Sequence, residues 1–589
     1  MMAEEEEKGF GSSGREEEDY TQDGTVDLKG TPVLRSNTGR WRACSFIVGY
    51  EMIERMAYYG IASNLVLYLT RKLHEGTVKS SNHVTNWAGT VWIMPAAGAY
   101  IADAYIGRYW TFVIASVIYL LGMCLLTLAV ALPGLRPPPC APGVADQDCP
   151  QASSLQVGVF FFALYIIAAG TGGTKPNIST MGADQFDEFE PKERSQKLSF
   201  YNWWVFNILI GTISAQTLLV YIQDRVGFGL GYGIPTIGLA LSILVFLLGT
   251  PLYRHRLPSG SPLTRMIQVL VAAVRKWKVH VPHDLNELHE LTMEDFLDKA
   301  AVKTGETSPW MLCTVTQIEE TKQMIKMVPI LITTCIPSTI IAQTATLFIR
   351  QGTTLDRGMG PHFEIPPACL IAFVNIFMLI SVVIYDRLFV PAIRRYTKNP
   401  RGISLLQRLG IGLVLHVIIM LTACFVERKR LSVARENNLS GQLDQIPLTI
   451  FILLPQFALT GIADTFVDVA KLEFFYDQAP EALKSLGTSY FTTTLSIGNF
   501  LNSFLLSTVA DLTRRHGHKS WILDNLNASR LDYYYAFLAM LSAINFLCFV
   551  AVAKLYVYNT DATQISMDLN MNPRSPKDND GMSQSNTTR

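Results

Sequence analysis

The stretch EMIERMAYYG sets Glu51, Glu54 and Arg55 inside an otherwise apolar run. On a helix, positions 51, 54, 55 and 58 share one face, so two carboxylates, a guanidinium and the Tyr58 phenol converge on one place. An ionised side chain at bilayer depth costs about 2.5–3.5 kcal/mol on insertion scales unless it is paired or meets water. That face is therefore expected to look into a water-filled cavity between helices. Two carboxylates beside one arginine cannot both be neutralised by it, which gives one carboxyl a reason to hold a proton. A group whose protonation changes the pairing of its neighbours is what a proton-coupled carrier requires. The plainer alternative is a static ion-pair cluster that packs the first apolar run against the others.

More charges lie within apolar runs. Lys175 falls late in the fourth run and Glu473 near the end of the tenth, one in each half of the chain. A pair between them is expected to hold a cavity shut until a proton or substrate competes for it. Asp468 and Lys471 flank Glu473 and are spaced to pair with each other, while Asp464 is either a second cavity carboxylate or satisfied by nearby backbone. In GAYIADAYIGRYWT, Asp103 and Arg108 surround Gly107, as in a charged latch between moving helices or an ordinary polar turn.

Other patterns exclude chemistry. GTGGTKPN lacks the Gly-Lys-Ser/Thr ending of a phosphate-binding loop, so Gly170, Gly172 and Gly173 read as close-approach positions between helices. HELTM places Met293 where a zinc protease needs its second histidine. No CxxC or Cys/His cluster is present, and no nucleophile–base pair suggests a hydrolase, so neither an enzyme nor a cofactor is expected.

The elements that must position these charges are membrane helices. Of 589 residues 49% are apolar and 17% charged, and Lys+Arg and Asp+Glu balance at 49 each, which gives no sign of a nucleic-acid partner. The apolar residues collect in runs of bilayer-spanning length. They fall near 46–70, 84–106, 110–132, 154–177, 200–222 and 230–252, then 327–349, 366–390, 404–426, 447–475, 488–511 and 531–557. The expected fold is an all-α membrane protein of twelve helices in two six-helix bundles. Its divisions are a solvated, disordered tail over 1–45, a bundle over 46–252, a link over 253–326, a second bundle over 327–557, and a disordered tail over 558–589. The link is expected to hold one or two helices within VRKWKVHVPHDLNELHELTMEDFLDKAAV.

Residues 1–40 lack the apolar core of a signal peptide, and both tails are expected to be cytosolic. Basic residues in 253–326 and 387–403 put those segments on the same side. The loop 427–446 dissents, with Arg428, Lys429, Arg430 and Arg435. Glycosylation sequons at Asn438 and Asn527 fall in expected outer loops, whereas those at Asn177 and Asn586 do not. Cys140 and Cys149 share an outer loop in which a disulfide can form.

The pattern Glu51-x-x-Glu54-Arg55 followed by Tyr58-Tyr59-Gly60 resembles the signature of proton-coupled oligopeptide transporters, and more closely the plant nitrate transporter 1/peptide transporter family. GTGGTKPNISTMGADQFDEFEPKERSQKLSFYNWW and KLEFFYDQAPEALKSLGTSYF resemble that family's blocks in the same order, and AQTATLFIRQGTTLDR resembles its peptide transporter 3 type branch. The resemblance implies a major facilitator fold and proton-driven symport. It implies that Glu51, Glu54, Arg55 and Lys175 form the coupling group, that Glu473 meets a peptide amine or pairs with Lys175, and that Tyr58 and Tyr59 line the pocket. Three departures bear on substrate: Ile341 stands where nitrate-type members have histidine, Ala62 replaces a second arginine, and Leu209 replaces an asparagine near Asn207. Thr111 matches a phosphorylated position of one member, which would imply a regulatory kinase, though a helix-start threonine also caps its own helix.

The resulting expectation is a symporter of protons with a small solute, di- and tripeptides ahead of nitrate, in the plasma or vacuolar membrane. A plant hormone or other organic metabolite is the alternative cargo. A non-transporting sensor is the alternative class.

Overall fold

The computed structural model describes residues 19–138, 140, 144, 149–258, 260–279, 296–304, 308–397, 402–515 and 519–558. Among them the chain makes twelve helical passes. The first half holds α1 (Arg40–Ala62), α2 (Thr77–Ile101), α3 (Arg108–Ala131), α4 (Ser154–Ala183), α5 (Pro191–Arg225) and α6 (Phe228–Leu248). The second holds α7 (Val315–Thr333 with Cys335–Gly352), α8 (Pro367–Thr397), α9 (Leu405–Glu436), α10 (Ile450–Gln478), α11 (Lys484–Arg514) and α12 (Leu531–Leu555). Capping boxes start several of them. Ser153 with Gln156 opens α4, Thr314 with Gln317 opens α7 and Ser404 with Gln407 opens α9, each pair satisfying two amide donors at the helix start.

Eight of these helices are long and apolar enough to cross a membrane, and α7 makes a ninth if its two segments, bent by 41°, form one span. The other three carry the polar residues of the interior. α1 holds Glu51, Glu54 and Arg55, while α2 and α11 are rich in Ser, Thr and Asn. The polar residues of α2 and α11 meet each other: Asn82 Nδ2 donates to Ser507 Oγ at 2.6 Å, and Ser496 Oγ donates to the Gly89 carbonyl at 2.8 Å. Weak hydropathy thus marks the seam between the two halves.

Close approach within the first half depends on glycine. A Cβ on Gly170 would lie 2.6 Å from the Tyr119 backbone, and one on Gly98 would strike the Gly172 carbonyl, so α2 and α3 lie against α4 with no room for side chains. The glycines around Lys175 are packing positions.

Residues 19–39 depart from the expectation of a solvated tail to position 45. Val26 bridges His255 just beyond α6, and the Gln22 amide donates to Asp187. Arg254, fully buried, donates to the Thr38 carbonyl at 2.8 Å and to Glu193 at 2.7 Å. The first helix accordingly begins at Arg40, not 46. Burial under this strap pushes the His255 imidazole down to about 4, against a smaller opposing pull from Asp27. Residues 1–18 and the tail from 559 lie outside the described residues, as do His289 to Met293, Lys398, Arg401 and Asn586.

The link also folds. A helix at Pro262–Arg275 packs Val269, Ala272 and Ala273 against Ala300, Cys313 and Ile318. That helix precedes most of the segment in which helices were expected. Lys276 Nζ donates to the Val302 carbonyl at 2.5 Å, tying the link to itself.

The dissenting basic cluster is explained by helix length. α9 runs on to Glu436, so Arg428, Lys429, Arg430 and Arg435 are helical. Arg430 is fully buried, paired with Glu427 at 2.7 Å and donating to Asn527 Oδ1 at 2.8 Å. Asn527 Nδ2 in turn donates to the Gly441 and Asp444 carbonyls, and the residue is 9% exposed. Its amide is thereby hydrogen-bonded within the fold, whereas Asn438 is exposed. Cys140 and Cys149 are joined by a disulfide in the α3–α4 connection.

Candidate functional site

α1 turns its charged face inward. Arg55 Nε lies 2.9 Å from Glu51 Oε1, and Arg55 Nη2 lies 2.5 Å from Glu54 Oε2. One guanidinium thus serves two carboxylates, as the spacing requires. Glu51 Oε2 and Glu54 Oε1 are buried without a hydrogen-bond partner. The three residues are 4%, 1% and 7% exposed, so this face packs within its own half instead of lining an open cavity. α5 closes over it, with Gly211 against the Met52 carbonyl and Arg55 Cβ.

Lys175 completes the group, but not through the expected pair. Its ammonium is covered, makes no hydrogen bond, and sits 4.1 Å from the Tyr58 ring centroid and 4.6 Å from that of Trp92. A cation held on two aromatic faces keeps all three N–H donors available. Glu473 instead lies 3.6 Å from Arg408 of α9 within its own half, with its side chain 37% exposed. Lys175 and Glu473 are not paired here. Tyr58 is 3% exposed, stacked on Trp87 at 5.7 Å, so it supports Lys175 more than it lines a pocket; Tyr59 packs edge-on against it and is half-buried. Nothing in the sequence marked Trp92, because its partnership depends on how α2 meets α4.

The second half has buried charges of its own. Lys471 Nζ lies 2.9 Å from Asp468 Oδ1 and 3.3 Å from Ser338 Oγ of α7, over the Phe491 ring of α11. Asp464, one turn before Asp468, is 7% exposed and its Oδ1 has no partner, so the backbone does not satisfy it. Ile341 is half-buried on α7, near the buried Gln343–Asn502 hydrogen bond, while Asn207 donates to the Trp203 carbonyl of its own helix at 2.8 Å.

Arg108 binds Asp184 at the end of α4 at 2.6 Å and lies 3.6 Å from Asp103. These contacts stay within the first half and reach the link through Arg256, 3.2 Å from Asp184. Thr111 is 5% exposed and lies one turn inside α3, where its hydroxyl donates back to the Gly107 carbonyl at 2.8 Å; the position before the helix is Gly107, so Thr111 does not cap it.

Polar contacts join the halves on the face opposite the link. Arg225 meets Glu364 at 2.8 Å, Arg350 donates to Thr77 at 3.2 Å, and the Thr77 amide donates to Asp524 at 2.6 Å. Asn375 of α8 donates to Gln216 of α5 at 2.7 Å. Together with the α2–α11 seam, these bonds close that face over the buried charges.

Two six-helix bundles meeting around buried charges define a secondary transporter of the major facilitator type. The comparisons agree. A model described as the POT family (PTR2) matches residues 109–522. Protein NRT1/PTR FAMILY 5.2 of Arabidopsis thaliana is 58% identical over 563 residues, covering 93% of this chain and 96% of the relative. Protein NRT1/PTR FAMILY 8.1 of the same plant is 45% identical over 567 residues, covering 92% and 98%. A crystal structure of an auto-inhibited POT family peptide transporter superposes with a TM-score of 0.67 at 20% identity, over 88% of this chain and 98% of that one. A peptide transporter of the family in complex with alafosfalin gives 0.60 at 16% identity, over 88% and 97%. The chain belongs to the POT family of transporters.

Proposed function

We propose that this protein is a proton-coupled symporter whose preferred cargo is a di- or tripeptide. The observation that carries this reading is the arrangement of two carboxylates on one guanidinium beside an ammonium free of hydrogen bonds. With Glu51, Glu54, Arg55 and Lys175 all ionised, this group of four is electrically balanced. A proton on Glu51 or Glu54 leaves it one positive charge in excess, and Lys175 and Arg55 then attract an anionic group. Substrate and proton therefore favour each other's binding, which is the thermodynamic content of coupling.

The second half favours a peptide over nitrate. Glu473, 37% exposed, and Asp468, 21% exposed, offer carboxylates to an ammonium. A zwitterion spans the two halves, its carboxylate toward Lys175 and its amine toward these acids. Nitrate uses only the first, and Ile341 offers it neither charge nor donor. The NRT1/PTR name of the relatives keeps nitrate as the second reading.

The symporter works in the plasma or vacuolar membrane, with acid on the side from which substrate enters. A regulatory kinase acting at Thr111 has to unwind the start of α3 to reach the hydroxyl. The test is uptake of dialanine and of nitrate with and without an inward proton gradient. Gradient-driven dialanine accumulation supports the reading, and nitrate accumulation alone transfers it to the second cargo.

A further inference from the structure

The fourth helix of each half carries a lysine at the same place. Lys175 stands 21 residues after Ser154, and Lys471 stands 21 residues after Ile450. Each ammonium is set against aromatic rings, Tyr58 and Trp92 in one half and Phe491 in the other. Each is accompanied by two carboxylates on one helical face, Glu51 with Glu54 on α1, and Asp464 with Asp468 on α10. The balance differs. The first pair has both Arg55 and Lys175; the second has Lys471 alone.

The groups facing the second pair do not supply the missing charge. From α9, His416 is buried, its Nδ1 donates to the Gly412 carbonyl at 2.9 Å, and its Nε2 has no hydrogen-bond partner. Arg408, also on α9, is directed to the Thr465 carbonyl, Glu473 and the Tyr385 ring of α8. α7 presents Ser338 and the Cys335 thiol, α11 presents Phe491, and α1 presents Tyr59 across the seam. Asp464 forms no hydrogen bond or ion pair with any described residue. Fully ionised, Asp464, Asp468 and Lys471 hold one negative charge in excess within a membrane-spanning helix, an arrangement that a single added proton neutralises.

We propose that Asp464 and Asp468 form a second proton-carrying site, housed in the second bundle, that takes up one proton per transport cycle in addition to the proton at Glu51 and Glu54. The inference rests on the symport reading above. The proton comes from water on the acid side and binds a carboxylate oxygen of one aspartate; Lys471 stays charged and pairs with the other. On the opposite side the O–H bond breaks and the proton returns to water. Two protons per cycle multiply the attainable substrate ratio by about tenfold more for each pH unit than one proton does.

The test uses the full chain in proteoliposomes, with dialanine as probe and the proton-to-substrate ratio read from the gradient that just halts flux. The wild type is expected to carry one proton more than Asp464→Asn, and Asp464→Glu, which keeps the carboxyl, is expected to match the wild type. Equal ratios in wild type, Asp464→Asn and Asp468→Asn overturn the second site and leave symport standing. A wild type that moves no protons overturns both. Should the asparagine variants fail to insert, infrared spectra of the purified wild type, Asp464→Glu and Asp468→Glu at neutral pH are compared. The proposal expects a protonated-carboxyl band that shifts in one of the two variants, and a band unshifted in both refutes it.

Discussion

Lys175→Met separates a binding role for this lysine from a packing role. The ring contacts at 4.1 and 4.6 Å contribute about 0.5–2 kcal/mol each. Against them stands the desolvation of an ammonium that makes no hydrogen bond, a cost of several kcal/mol. The two roughly cancel, and methionine fills nearly the same space while keeping contact with both rings. The variant should therefore melt within a few degrees of the wild type or above it, since about 1 kcal/mol moves Tm by roughly 2–4 °C in a unit of this bundle's size. Function should suffer much more. A charge-assisted hydrogen bond to a substrate carboxylate contributes about 1.5–3 kcal/mol, which raises KM for dialanine roughly 10- to 150-fold. Thermal unfolding in detergent and concentration-dependent uptake measure the two effects on one preparation. A large fall in Tm with KM unchanged would refute the reasoning and make Lys175 a packing residue.

Glycosidase treatment should shift the wild type and leave Asn438→Gln unshifted, because Asn438 is exposed. Asn527→Gln should retain the glycan yet lose stability by about 2–4 kcal/mol, since its amide serves Arg430 and two carbonyls; melting curves check it. Ile341→His should raise nitrate uptake relative to dialanine uptake, because an imidazolium adds both charge and a directed N–H; parallel uptake assays show whether it does. The docked strap 19–39 should loosen as pH falls. His255 binds its proton less readily folded than unfolded, so the stability it contributes is full above about 6.5 and is lost progressively toward about 4. Limited proteolysis across that window should cut before Arg40 in the wild type, and His255→Phe should lose much of this pH dependence.

Much of the fold was legible because bilayer length and helical period are local properties. Twelve apolar runs mark the twelve passes, and positions 51, 54, 55 and 58 share a face because any helix places them there. What escaped depended on how helices meet. Arg254 reads as one more basic link residue, and only the fold shows it buried beneath residues 19–39. Arg430 runs against the charge rule in the sequence, and α9 carries it into a buried pair with Glu427. Lys175 and Glu473 have complementary charges at plausible depths, but Trp92 and Arg408, each brought close by helix packing, occupy them separately. Asn527 carries an intact sequon, yet a sequon says nothing of what the asparagine amide binds after folding.

The most direct measurement is dialanine accumulation in oocytes at acid and neutral outside pH, for the wild type, Glu51→Gln and Glu54→Gln, with surface expression determined for each. Two carboxylates sharing Arg55 predict acid-stimulated accumulation with an inward current in the wild type, and its loss in both variants while they remain at the membrane. Acid stimulation that persists undiminished in both variants would contradict the account.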